Sequence, residues 1–139
     1  MAENEKVHLT LVTPHAEVAV GPADQVIIPA HAGEMGILPG HDRVLALLNM
    51  GALKVINGNS TQTYFVAYGF AEVDHDNVRV LAGVCEPVDA IDIERAKEAQ
   101  LRAEERLKNA ALDPEIDVVR ARAAIDRAMM RQILGVGAA

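Results

Sequence analysis

Around Glu86-Pro87 the chain changes character, and that change limits its fold more than any other feature. Before it, short apolar runs are cut by Gly, Pro and Asn-Gly signals. After it, from Ile91 to Asn109, there is neither Gly nor Pro but much Ala, Glu, Lys and Arg, all good helix formers. Strand side chains repeat every second residue and helical ones about every 3.6, so the two halves cannot share one packing scheme. The sequence predicts a β-sandwich or barrel over residues 1–86 and a helical hairpin over residues 87–139.

Within the first half, Val7–Val12 alternates apolar and polar until Pro14 breaks it. His15–Val20 alternates again, with Ala16, Val18 and Val20 on one face, and Gly21-Pro22 is expected to end it. Further strands are predicted around Val26-Ile27-Ile28, Val44–Leu48, Ala52–Ile56, Thr61–Tyr68 and the Val78, Val80, Val84 alternation. Asn57-Gly58 predicts a hairpin with both as central residues at positive φ, and Asp74-His75-Asp76-Asn77 a polar turn.

In the second half, Asp89 or Asp92 can cap a first helix whose stripe is Ala96, Ala99, Ala103, Leu107 and Ala110. Asp113-Pro114-Glu115 reads as N-cap, N1 and N2 of a second helix, striped by Val118, Ala121, Ile125, Ala128 and Met129. It is expected to run to about Ile133 and stop before Gly135 and Gly137. Such small residues let two antiparallel axes come close but bury little area, so the hairpin should be weakly stable alone and suited to move.

Composition removes several classes of function. The chain carries a net charge of −7 with a pI near 5.1, which argues against nucleic acid as a partner. Residues 1–86 hold 4 Lys+Arg against 10 Asp+Glu, and residues 87–139 hold 9 against 10, as solvated helices do. Cys85 is the only cysteine, so no internal disulfide forms and a small buried thiol is expected. Met1–Val7 lacks the apolar run of a signal peptide, and no window approaches the roughly 18 apolar residues of a membrane span, so direct membrane insertion is not expected.

Gly33-Glu34-Met35-Gly36-Ile37-Leu38-Pro39-Gly40-His41 is rich in glycine, but a phosphate loop ends in Gly-Lys-Ser/Thr and this one continues into Asp42 and Arg43. It reads as a bent connection with Met35, Ile37 and Leu38 apolar enough to be buried. A metal would need His31, Glu34 and His41 folded onto one another, and no metal is expected. The arginines carry more. Arg95 and Arg102 share one face of the first helix, and Arg120, Arg127 and Arg131 share one face of the second, with Glu86 and Asp92 near the first pair. They are either solvated salt-bridge faces or, once the hairpin closes, an anion site.

The stretch Gly33–His41, then Tyr68-Gly69-Phe70-Ala71-Glu72-Val73 with Asn77-Val78, then Ile91-Asp92-Ile93-Glu94-Arg95-Ala96 and Arg127-Ala128 with Arg131, resembles the epsilon subunits of bacterial F-type ATP synthases over almost the whole length. Two departures stand out: Asp42-Arg43 replaces the usual Ala-Pro, and Tyr68-Gly69-Phe70 the frequent Gly-Gly-Phe. The resemblance implies an α+β fold, an N-terminal antiparallel β-sandwich followed by a C-terminal antiparallel two-helix hairpin. It implies a non-catalytic central-stalk subunit that needs no cofactor and is peripheral to the cytoplasmic face of the bacterial plasma membrane. The sandwich would bind the gamma subunit and the c-ring, coupling rotation and proton translocation to ATP synthesis. The hairpin would inhibit ATP hydrolysis by extending toward the alpha and beta subunits of the catalytic head, with ATP as a regulatory ligand of its folded form. By the same matching, Glu86, Ile91, Asp92, Arg95, Ala96, Arg102, Arg127 and Arg131 would contact ATP. The loop residues Glu34, Gly36, His41, Asp42 and Arg43 would contact the rotor ring.

Overall fold

Val7, Leu9 and Leu11 are buried while His8 is exposed, so the alternation written in the sequence becomes strand β1 (Val7–Val12). The computed structural model describes residues 5–138; the reading of the chain start rests partly on residues 1–4, which lie outside the described residues. Two compact units emerge, Met1–Pro87 and Val88–Ala139. In the first, β2 (Glu17–Ala23), β3 (Gln25–Ala30), β4 (Gly33–Ile37), β5 (Val44–Leu47), β6 (Gly51–Asn57), β7 (Ser60–Asp74) and β8 (Asn77–Pro87) follow β1. Their order is β2-β1-β8-β7-β6-β3-β4, with β5 also paired to β7.

The longest strand, β7, organises this sandwich. Ser60–Val66 pairs with β6 and Phe70–Val73 with β5 along the same edge, while the opposite edge pairs with β8. Between the two stretches, Tyr68 at φ 60° and Gly69 at φ 142° form the fold line where the sheet turns over on itself. The alternating apolar residues Leu9, Ile28, Ile37, Leu53, Val66 and Val80 then meet in one core. Every pairing is antiparallel except β1 with β8.

Several boundaries differ from the sequence reading, each for a physical reason. β2 does not stop at Gly21-Pro22 but continues to Ala23, because it is an edge strand and a missing N–H on the open side breaks no ladder. Val20 is 50% exposed, so the face predicted from Ala16, Val18 and Val20 is not fully buried. The hairpin after β6 has Gly58 and Asn59 at its centre, since Asn57 pairs with Ser60, and only Gly58 has positive φ. Lys6 and the Gly58 N–H both donate to the Asp24 carboxylate, which holds it below the usual carboxylate range and ties the turn down. The first five residues of the glycine-rich stretch are strand β4, paired with β3 from Val26↔Ile37 to Ala30↔Gly33. Ile37 is buried there, but Leu38 lies beyond the strand and is 54% exposed, contrary to expectation.

In the second unit, a short 3-10 turn, Val88–Ala90, precedes α1 (Ile93–Asn109). Asp92 is the cap, its Oδ1 accepting the Arg95 N–H at 3.0 Å. Helix α2 (Val118–Ala138) starts later than predicted. Asp113 caps only a local turn through the Glu115 N–H, whereas Asp117 accepts the Arg120 N–H at 3.0 Å and opens the helix. It also passes through Gly135 rather than stopping. A Cβ there would lie 3.0 Å from Ile93 Cγ1 and 3.2 Å from Ile91 Cγ2, so this glycine lets the end of α2 close on the start of α1. Ala96 and Ala103 on α1 and Ala121 and Ala128 on α2 are buried, and Gln132 Nε2 donates to Gln100 Oε1 at 2.6 Å across the pair. The two helices therefore run antiparallel.

Candidate functional site

A groove of about 460 Å³ opens between α1 and the beginning of α2. Its rim carries Arg102 and Arg106 from α1, Arg120 and Arg127 from α2, and the carboxylates of Glu115 and Asp117. The helices set this arrangement: Arg102 and Arg106 are four apart and Arg120 and Arg127 seven apart, so each pair shares a face. Ala99, Ala103, Ala121 and Ala124 form the floor, short enough for long guanidinium side chains to reach over them. Of the residues singled out in the sequence, Arg102 and Arg127 meet here. Ile91, Asp92, Arg95, Ala96 and Arg131 do not line the groove, and Glu86 sits on β8 in the other unit. Ala96 is buried in the helix contact, Asp92 is the cap, and Arg95 is exposed. Arg106 escaped the sequence reading, although its spacing of four from Arg102 was the available signal.

The loop after β4 forms a second cluster. Gly40 N–H donates to Asp76 Oδ1 at 2.8 Å, and His41 Nδ1 donates to the Asp42 carbonyl at 2.8 Å. Arg43 forks onto Asp74, with Nη2 3.2 Å from Oδ2 and Nε 3.1 Å from Oδ1. His75, at φ 56°, lies 3.1 Å from the same carboxylate. The replacement pair Asp42-Arg43 thus ties this loop to the β7–β8 turn, through an exposed bridge whose contribution is about 0–1 kcal/mol. Glu34 and Gly36 are exposed on edge strand β4. Among the described residues, no three His, Cys, Asp or Glu side chains gather as a metal site would require. Burial, reinforced by the Glu86 charge, pushes the Cys85 thiol up to about 11, so it stays protonated near neutral pH.

One surface was not anticipated. Leu47, Phe70 and Leu81 lie opposite one another across β5, β7 and β8, and all are exposed, with Leu45 beside them. The signal was in the sequence, since Leu45 and Leu47 share one face of a strand while Ala46 takes the other, but a two-sided apolar strand reads simply as core.

Two adjoining family descriptions match the chain in order. "ATP synthase, Delta/Epsilon chain, beta-sandwich domain" covers residues 6–88, and "ATP synthase, Delta/Epsilon chain, long alpha-helix domain" covers residues 89–131. The chain belongs to the ATP synthase delta/epsilon family. Among curated bacterial epsilon chains, that of Nitratidesulfovibrio vulgaris is 41% identical over 127 residues, covering 91% of this chain and 93% of that one. The Myxococcus xanthus epsilon chain is 42% identical over 103 residues, 74% of this chain and 76% of that one. A chain in the Euglena gracilis mitochondrial ATP synthase structure superposes with a TM-score of 0.79 at 24% identity, covering 92% of this chain and 80% of that one, and speaks for the family's fold. Among the described residues, no helix of this family member is long and apolar enough to cross a membrane.

Proposed function

We propose that the chain is the epsilon subunit of the central stalk in a bacterial rotary ATP synthase. It would be a non-catalytic part that couples rotation and proton translocation to ATP synthesis at the cytoplasmic face of the plasma membrane. The observation that carries this reading is the pair of family matches, sandwich then helices, lying in order on the two units. The exposed Leu45, Leu47, Phe70 and Leu81 face is the surface offered to the gamma subunit, because contiguous apolar surface of this kind marks an interface. Glu34 and Gly36 with the His41-Asp42-Arg43 loop are offered to the c-ring. Glu34→Ala and Asp42→Ala are expected to lower ATP-driven proton pumping in reconstituted complexes. Wild-type pumping in both would move the contact elsewhere.

The hairpin is the regulatory part. Its contact is made of alanines and a glycine, so an open and a closed state differ by a few kcal/mol, within reach of a ligand that binds only one. In the open state it would reach the alpha and beta subunits and inhibit hydrolysis. In the closed state ATP would be held by Ile91, Asp92, Arg95 and Ala96 together with Arg102, Arg127 and Arg131. ATP titration of the isolated chain tests this: saturable binding should accompany compaction of the hairpin. Arg127→Ala or Arg131→Ala should weaken binding about ten-fold, the effect of one charge-assisted bond. Absence of saturable binding at millimolar ATP overturns the ligand part of the proposal.

A further inference from the structure

Arg106 and Arg120 have no role in that reading, yet they line the groove with Arg102 and Arg127. Among the described residues, the guanidinium groups of Arg102, Arg106 and Arg120 form no ion pair. The nearest carboxylates do not neutralise them. Asp117 Oδ1 is engaged by the Arg120 backbone N–H at the start of α2, and four arginines face only two carboxylates around the groove. In a chain of net charge −7, where most cations can find acids, this is a local excess of two positive charges held together by helix packing. A polyvalent anion would remove the mutual repulsion and accept forked hydrogen bonds from several guanidinium groups at once.

The lining also says what is not recognised. Besides the arginines and the two carboxylates it consists of alanines and Ile116, with no amide or hydroxyl side chain to read a base or sugar. Its volume of about 460 Å³ falls within the usual range for small-ligand sites, about 300–1,000 Å³, and is more than one phosphate group fills. Arg106 lies eleven residues beyond Arg95, about 16 Å along α1, far from the Ile91–Ala96 turn. We propose that the groove is a polyphosphate site that selects a chain of phosphates without regard to any base attached to it. This inference goes beyond the ATP reading and stands without it, because Arg106 and Arg120 belong to the groove alone.

The test is calorimetric titration of the full-length chain with sodium tripolyphosphate, alongside ATP. Tripolyphosphate should bind saturably, and more weakly as salt rises. Arg106→Ala and Arg120→Ala should each weaken it about ten-fold. Arg122→Ala, which removes the same charge from an exposed position outside the groove, should leave it unchanged. Equal loss in Arg122→Ala, or no loss in either groove variant, overturns the proposal, as does ATP binding without tripolyphosphate binding. Tripolyphosphate binding without ATP binding supports the groove and counts against the nucleotide reading instead.

Discussion

Gly69→Ala is expected to unfold the sandwich or leave it barely stable. Gly69 sits at φ 142°, and a Cβ there would run into the Leu81 carbonyl and lie 3.0 Å from Ala82 Cα. Both obstacles are backbone of β8, so no rotamer change relieves the clash. The strands would have to part at the fold line of β7, where Leu48 N–H also donates to the Gly69 carbonyl at 2.9 Å. A cost of about 4 kcal/mol or more is the exceptional class for a single substitution, against a total stability of about 5–15 kcal/mol for a domain. Gly58→Ala is the control. It has φ 56° but open space around it, so only the left-handed penalty of about 1–2 kcal/mol applies. Urea denaturation followed by circular dichroism separates the two, and a wild-type midpoint for Gly69→Ala would show that β7 and β8 are not pinned there.

Removal of residues 88–139 is the second large effect. The chain ending at Pro87 should fold, bind gamma and support coupled ATP synthesis, while ATP hydrolysis by the complex rises above wild type. The physical ground is that the sandwich core, from Val7 to Ala82, draws every buried member from the first unit. The buried hairpin residues are only alanines, Ala96, Ala103, Ala121 and Ala128. A truncated chain that folds but cannot bind gamma would mean that the division between a docking unit and a regulatory unit is wrong. Unchanged hydrolysis would remove the inhibitory role from the hairpin.

How far the sequence spoke depended on whether its signals were local. The alternation of Val7, Leu9 and Leu11 placed β1 to the residue, and the absence of Gly and Pro after Ile91 placed α1, because period and propensity are properties of neighbouring residues. Gly and Pro misled where their meaning is set by what lies across from them. Pro22 is harmless only because β2 is an edge, and Gly135 continues a helix only because Ile91 and Ile93 press against it. Asp113 and Asp117 are equally good caps on paper, and the local turn takes the first. For the site, same-face spacing found Arg102 and Arg127, but that Arg106 faces Arg120 across a groove depends on how two helices meet, which no single-helix pattern records. The apolar face of Leu47, Phe70 and Leu81 was hidden for the same reason: three strands far apart in the chain compose it.

The hairpin seam repeats itself. Ala96 and Ala103 on one side and Ala121, Ala128 and Gly135 on the other recur every seven residues, so a slide of one helix by that interval, about 10 Å, would again set small residue on small residue. Packing alone therefore permits more than one alignment. The bond from Gln132 to Gln100 does not repeat, since seven residues on from Gln132 stands Ala139 and seven residues back Ile125. It works as a key in a toothed track: the helices can part as a unit, but they cannot creep past each other one notch at a time without breaking it. That makes release of the hairpin an all-or-none event, the behaviour of a latch rather than of a sliding bolt.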